Sequence, residues 1–260
     1  MKKNLRVISL YFLNSFQGII STPATFLIFF IAKLARYGFF IVFLYFLISN
    51  LGRVGGFTPA QMLVFYLSFN LIDTSSQMLF REVYRFRPLV VSGDLDGVLA
   101  KPFSPLLRVL VGGPDFIDVG VLVILIAVIT WFFLFSIHPT LFHTLLYTLL
   151  ILNSLIISAA FHTVVLATGI LTFSVDHLVM IYRDVTSLMR IPVDFFPGSL
   201  RTFLTFVVPI GIMFTIPAKA LLGLLSWPLF IASFAVSGLA MYIAIVYWRY
   251  ALRHYQSASS

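Results

Sequence analysis

Long apolar runs broken by short polar stretches set the rhythm of this chain. Runs such as 39–48 and 119–135 are apolar on every helical face, as expected where the surroundings are lipid and not water. Thr22 before Pro23 and Thr58 before Pro59 each place a capping hydroxyl ahead of a proline at the first helical position. They open predicted spans over 24–48 and 59–80, joined by a loop that carries Arg53. Further spans are predicted over 116–137, 140–170, 200–216 and 229–248. His138 and Pro139 mark a tight external turn between the third and fourth. The apolar run from Thr140 to Ser174 exceeds one crossing of about 20 residues and predicts a long, bent or extended helix. Pro209 and Pro217 make the fifth span irregular, and Lys219 to Pro228 reads as a re-entrant or interfacial segment on the outer side. At the N-terminus Leu5, Ile8, Phe12, Phe16 and Ile19 recur at spacings of three and four, the mark of an amphipathic helix over 1–21 lying on the membrane surface. The expected fold class is an all-α polytopic membrane protein with six transmembrane helices in a single domain over 1–260.

Composition agrees with the pattern. Hydrophobic residues make up 60% of the chain and charged residues 10%, against roughly 25% charged in soluble domains. The net charge of +8 comes from basic residues scattered at segment ends, with no basic face of the kind that binds nucleic acid. Arg81, Arg85, Arg87, Lys101 and Arg108 fall in the polar segment 81–113, which the positive-inside rule places in the cytoplasm together with both termini. Of the basic residues only Arg53 and Lys219 are expected outside. Cys 0 excludes disulfides and thiol chemistry, and the five histidines lack metal-ligand spacing. No glycine precedes a lysine, so the chain has no phosphate-cradling loop, and any ATP with its Mg must sit on another subunit. No internal repeat is visible, and no cluster of acids, histidines or metal ligands suggests an enzyme.

Several polar residues fall inside predicted spans, where charge is costly unless paired or wet. Asn70, Asp73 and Gln77 share one face of the second span. Counted from the span ends, Lys33 and Asp73 lie at similar depth, so Lys33 or Arg36 is expected to pair with Asp73, either as a structural tie or along a substrate path. Ser154, Ser158 and His162 follow at intervals of four on the fourth span, a stripe suited to interhelical hydrogen bonding or to a pathway lining.

The cytoplasmic segment reads RPLVVSGDLDGVLAKPFSPLL over 87–107. Ser92 to Ala100 can form a short helix with Leu95, Val98 and Leu99 on one face, although Gly97 inside it costs about 1 kcal/mol relative to alanine. So short a helix is stable only when packed against something. SGDLDGVLAKPFSPLLRVL, the later RIPVDFFPGSLRTFLTFVVPIGIMFTIPAKALLG and the tail YWRYALRHY together resemble the ABC-2 family of ABC transporter permeases. The resemblance implies a six-span exporter subunit in a prokaryotic cell membrane, working with a second identical or paralogous copy and with two cytoplasmic ATPase subunits. It maps a coupling element onto Gly93, Asp94, Leu95, Asp96, Leu99, Lys101, Pro102, Ser104 and Pro105, and an outer re-entrant region onto 217–223. A proton-coupled secondary transporter using Asp73 and His162 is the rival reading. The 17% aromatic content allows a greasy pathway for lipids, hydrophobic drugs or lipid-linked glycans, and equally serves lipid contact and interfacial anchoring.

Overall fold

The computed structural model describes residues 2–20, 23–51 and 56–256. The expected Thr22 cap and Arg53 lie outside the described residues. The helices are α1 (Lys2–Ile20), α2 (Pro23–Leu51), α3 (Pro59–Leu79), α4 (Phe86–Val91), α5 (Leu95–Leu99), α6 (Pro105–Val111), α7 (Phe116–Phe132), α8 (Leu141–Thr172), α9 (Asp176–Ser187), α10 (Gly198–Thr202), α11 (Ile210–Leu221) and α12 (Trp227–Arg253). At the start of α3, Thr58 Oγ1 accepts from the Gln61 amide at 3.3 Å and Gln61 Oε1 accepts from the Thr58 amide at 2.9 Å, a reciprocal capping box. α7 continues as a wide π turn to Ile137, and His138 takes a left-handed conformation (φ 50) ahead of Pro139, which makes the expected tight turn.

Among the described residues four segments are long and apolar enough to cross a bilayer, 26–43 within α2, 116–137, 141–172 and 227–253, and the bent pair 198–207 and 210–221 together would make a fifth. Their outward faces carry large exposed apolar side chains such as Phe39, Phe43, Trp131, Leu145 and Ile243. α3 covers the expected second span but is less apolar, since Asn70, Asp73, Ser75, Ser76 and Gln77 crowd its second half. It sits among α2, α7, α8 and α11, where packing rather than lipid is its environment.

The end of the bundle holding Arg81, Arg85, Arg87 and Arg108 is its basic end. From there the chain runs antiparallel along α3. Arg87 Nη1 meets Asp176 Oδ2 at 2.9 Å, Tyr182 Oη lies 3.3 Å from Ser76 Oγ, and after two 3₁₀ turns the Phe195 ring reaches Phe57, just ahead of α3, at 6.2 Å. Residues 176–195 therefore follow α3 from one end to the other, about 31 Å at 1.5 Å per residue.

A single straight helix over 200–216 does not form. α10 runs on as a π turn to Val207, and the axis then swings through 96° before α11. Pro209 supplies no amide to continue the ladder, so the helix breaks there. The two arms meet closely at Gly211, where a Cβ would lie 2.8 Å from Thr205 Oγ1 and 3.1 Å from the Leu204 carbonyl oxygen. Both open ends of this hairpin lie far from the basic end. Lys219 Nζ meets Asp194 Oδ1 at 2.7 Å, and Gly223 approaches His143 at the start of α8. The expected re-entrant region 217–223 is thus the end of one arm of a larger hairpin over 198–221. Arg201 lines a cavity with Lys219 and Asp194, so it too sits at the end where only Arg53 and Lys219 were expected.

Two clusters form most of the core. Near the basic end Phe80, Phe86, Leu95, Leu166, Ile170 and Trp248 pack together. In the middle Phe69, Ile72, Leu150, Ile157, Met213 and Phe214 do so. Short polar side chains stitch the helices between them. Ser76 bonds Ser158, Asn153 bonds Ser237, and Ser68 lies 3.2 Å from Tyr147 Oη.

Candidate functional site

The polar face of α3 opens into a cleft of about 420 Å³ between α2, α3 and the 176–190 stretch. α3 contributes Tyr66, Phe69, Asn70, Asp73 and Gln77, and α2 contributes Arg36, Tyr37 and Phe40. α9 and the turn after it contribute Met180, Arg183, Asp184, Thr186, Ser187 and Arg190. Gln77 Nε2 donates to Asp73 Oδ2 at 2.7 Å, and Asn70 Nδ2 donates to the Tyr66 carbonyl at 2.7 Å. The Arg36 guanidinium lies 5.1 Å from the centre of the Tyr37 ring, and Tyr37 Oη is 2.9 Å from Thr74 Oγ1. The α2 and α3 walls are therefore aromatic and carry Arg36, and the facing stretch carries Arg183 and Arg190. Such a space accepts a ligand that is part apolar and part charged.

Of the intramembrane residues singled out from the sequence, Arg36, Asn70, Asp73 and Gln77 meet in this cleft, and the others do not. Lys33 forms its ion pair with Asp118 on α7 rather than with Asp73, and Asp118 is 1% exposed. Tyr37 stands level with Thr74, so Lys33 lies a full turn nearer the basic end than Asp73. Ser154 and Ser158 are buried between helices. Ser158 Oγ lies 3.3 Å from Tyr182 Oη, and His162 Nδ1 faces the Ser158 carbonyl at 2.8 Å. The His162 ring packs against Phe80 and Tyr182 and does not line the cleft. Arg183 and Arg190 were missed as cleft residues. The signal was present in the spacing of Met180, Arg183, Ser187 and Arg190, which repeats at three and four and defines one helical face. Among the described residues no three His, Asp or Glu side chains group as a metal site.

The coupling motif at the basic end divides into residues that build local structure and residues that face outward. Gly93 adopts φ +80, a conformation that L side chains rarely take. Leu95 is 0% exposed and Val98 8%, both packed into the chain's own basic-end cluster. Leu95 is thus unavailable as a contact for another protein, contrary to expectation, and Leu99 is partly buried against the same cluster. Ser104 caps α6 by accepting from the Leu107 amide, with Pro105 at the first position. Asp96 is half-buried on α5. The outward surface consists of Val91, which is 54% exposed, with Asp94, Gly97, Ala100, Lys101 and Pro102. α5 itself spans only Leu95–Leu99, shorter than the expected Ser92 to Ala100.

A multi-pass helical membrane protein with a polar cleft at mid-bundle and a compact platform at its basic end has the build of a transport permease. The chain belongs to the ABC-2 family, since the family described as "ABC-2 family transporter protein" matches it over residues 34–259. It is accordingly a permease of an ABC transporter, and permeases of this family generally partner with ABC ATPases. No curated protein and no solved structure matches the chain.

Proposed function

We propose that this chain is the membrane subunit of an ATP-driven exporter, paired with a second copy or a paralogue and driven by separate cytoplasmic ATPase subunits that hold ATP and Mg. The observation that carries the reading is the basic-end platform. α5 is too short to stand alone; it packs against α6, and its Leu95 and Val98 join the cluster that also holds Phe80 at the end of α3, Leu166 and Ile170 of α8 and Trp248 of α12. A displacement applied to its outward edge by a partner is passed through that cluster to Phe80 at the end of α3, and α3 forms one wall of the cleft. Six crossings with both termini in the cytoplasm fit this arrangement if the crossings are α2, α3, α7, α8, residues 176–195 and α12. The hairpin over 198–221 then enters from the outer side and returns to it. A prokaryotic cell membrane is the setting that the family resemblance implies.

The platform is tested by co-purification with the ATPase subunit expressed beside it. Val91→Asp combined with Ala100→Glu is expected to lower ATPase association at least tenfold while the chain elutes and melts as the parent does. Leu95→Asp places a carboxylate in the packed cluster and is expected to lower the melting temperature and yield instead. Full ATPase association by the Val91/Ala100 variant contradicts the platform, and transport by the purified chain in liposomes without any ATPase contradicts the ATP-driven reading.

A further inference from the structure

The cleft's unmatched positive charge points to a ligand class. Three guanidiniums, those of Arg36, Arg183 and Arg190, border it, and none lies within salt-bridge distance of a carboxylate among the described residues. Two carboxylates also border it. Asp73 is held by Gln77, and Asp184 is exposed on the rim. The sum is one net positive charge, carried by exposed guanidiniums that share Asp73 and face a cleft in a bundle whose outer faces are apolar. Arginines so placed are costly unless they are wet or meet an anion, and their planar fork matches the oxygens of phosphate and carboxylate. Arg183 and Arg190 stand seven residues apart on the same face, two helical turns, and so form a ladder leading away from the basic end. Tyr66 and Phe40 stack at 4.4 Å across the opposite wall and leave an aromatic surface for an apolar group.

We propose that the cleft binds an anionic amphiphile, with its phosphate or carboxylate head on the Arg183–Arg190 ladder and its apolar part against Phe40 and Tyr66. The assignment rests on the permease reading and names its substrate class. A lipophilic cation would suit the aromatic wall and Asp73 but meets the three guanidiniums.

The test uses the full-length chain, purified in a non-ionic detergent and titrated with fluorescent phosphatidylglycerol, fluorescent phosphatidylcholine and a rhodamine-type lipophilic cation, with inorganic phosphate as competitor. Phosphatidylglycerol is expected to bind at least tenfold tighter than phosphatidylcholine, and phosphate alone is expected to displace it poorly. R183Q/R190Q is expected to lose at least tenfold in phosphatidylglycerol affinity, since a lost hydrogen bond to a charged group is worth about tenfold or more. R249Q/R253Q removes equal charge from the exposed end of α12 and is expected to stay within twofold. The single variants R183Q and R190Q are measured too, so that poor folding of the double variant leaves the question answered. Equal affinity for the two lipids, tighter binding of the cation, full displacement by phosphate, or equal losses in the ladder and α12 variants overturns the assignment. Loss of the ATPase partner with the lipid preference intact would defeat the permease reading alone, and an ATPase-coupled chain without the preference would defeat this assignment alone.

Discussion

Pro217 sits inside α11 and has no amide, so the Met213 carbonyl one turn earlier is left without its helical donor. Ser154 on α8 fills the vacancy. Its hydroxyl lies 2.6 Å from the Met213 oxygen and 2.8 Å from its own helix's Leu150 oxygen, and it shares one proton between them. Replacing Ser154 with alanine leaves a buried carbonyl unsatisfied and is expected to cost about 1–3 kcal/mol. In a Pro217→Ala background, where an amide returns to the helix, the same replacement is expected to cost much less. Thermal unfolding of the four proteins in detergent checks this, and equal costs in both backgrounds would contradict it. Of the stripe of Ser154, Ser158 and His162 the two serines bond across helices while His162 bonds Ser158 on its own helix, and the Asn70, Asp73 and Gln77 face was legible from spacing alone. The partner of Lys33 was not. Depth counted from a helix start assumes that neighbouring helices start at one level, and the Tyr37–Thr74 contact shows that α2 and α3 are offset by a turn.

At the scale of elements, the start of α3 at Thr58 and Pro59, the turn at His138 and the great length of α8 followed from local chemistry in the sequence, whereas the Gln61 half of the capping box and the unbroken course of α8 appear only in the structure. Residues 176–195 did not. Their amphipathic pattern, with Val179, Tyr182, Thr186 and Met189 buried, looks the same whether the polar face meets water or a cleft inside a bundle. The expected span over 200–216 rests on a length and apolarity that suffice for one, and the 96° swing between 207 and 210 is the departure from it. The absence of cysteine from the chain makes single replacements clean reporters of sidedness. Ser199→Cys and Leu224→Cys, both at exposed positions, are expected to react with a membrane-impermeant thiol reagent from the outer side, and His177→Cys from the inner side. Reaction of Ser199→Cys and His177→Cys from the same side would contradict the fifth crossing and the outer hairpin together.

At the scale of the whole molecule, apolar belts on α2, α7, α8 and α12 enclose a polar seam formed by α3 and the 176–195 stretch, and that seam rests on the platform at the basic end. Motion of the platform is expected to move one wall of the cleft against another, which alternates the side from which the cleft is reached. The most direct test places a cysteine at Met180, an exposed cleft residue, in the assembled transporter with its ATPase. Reactivity toward an impermeant thiol reagent is then read from each side of sealed vesicles, without nucleotide and after trapping with ATP and vanadate. The account predicts that the reactive side changes on trapping and that the change requires the ATPase. Reaction from one unchanging side in both states, or a change of side in the chain alone, would contradict it.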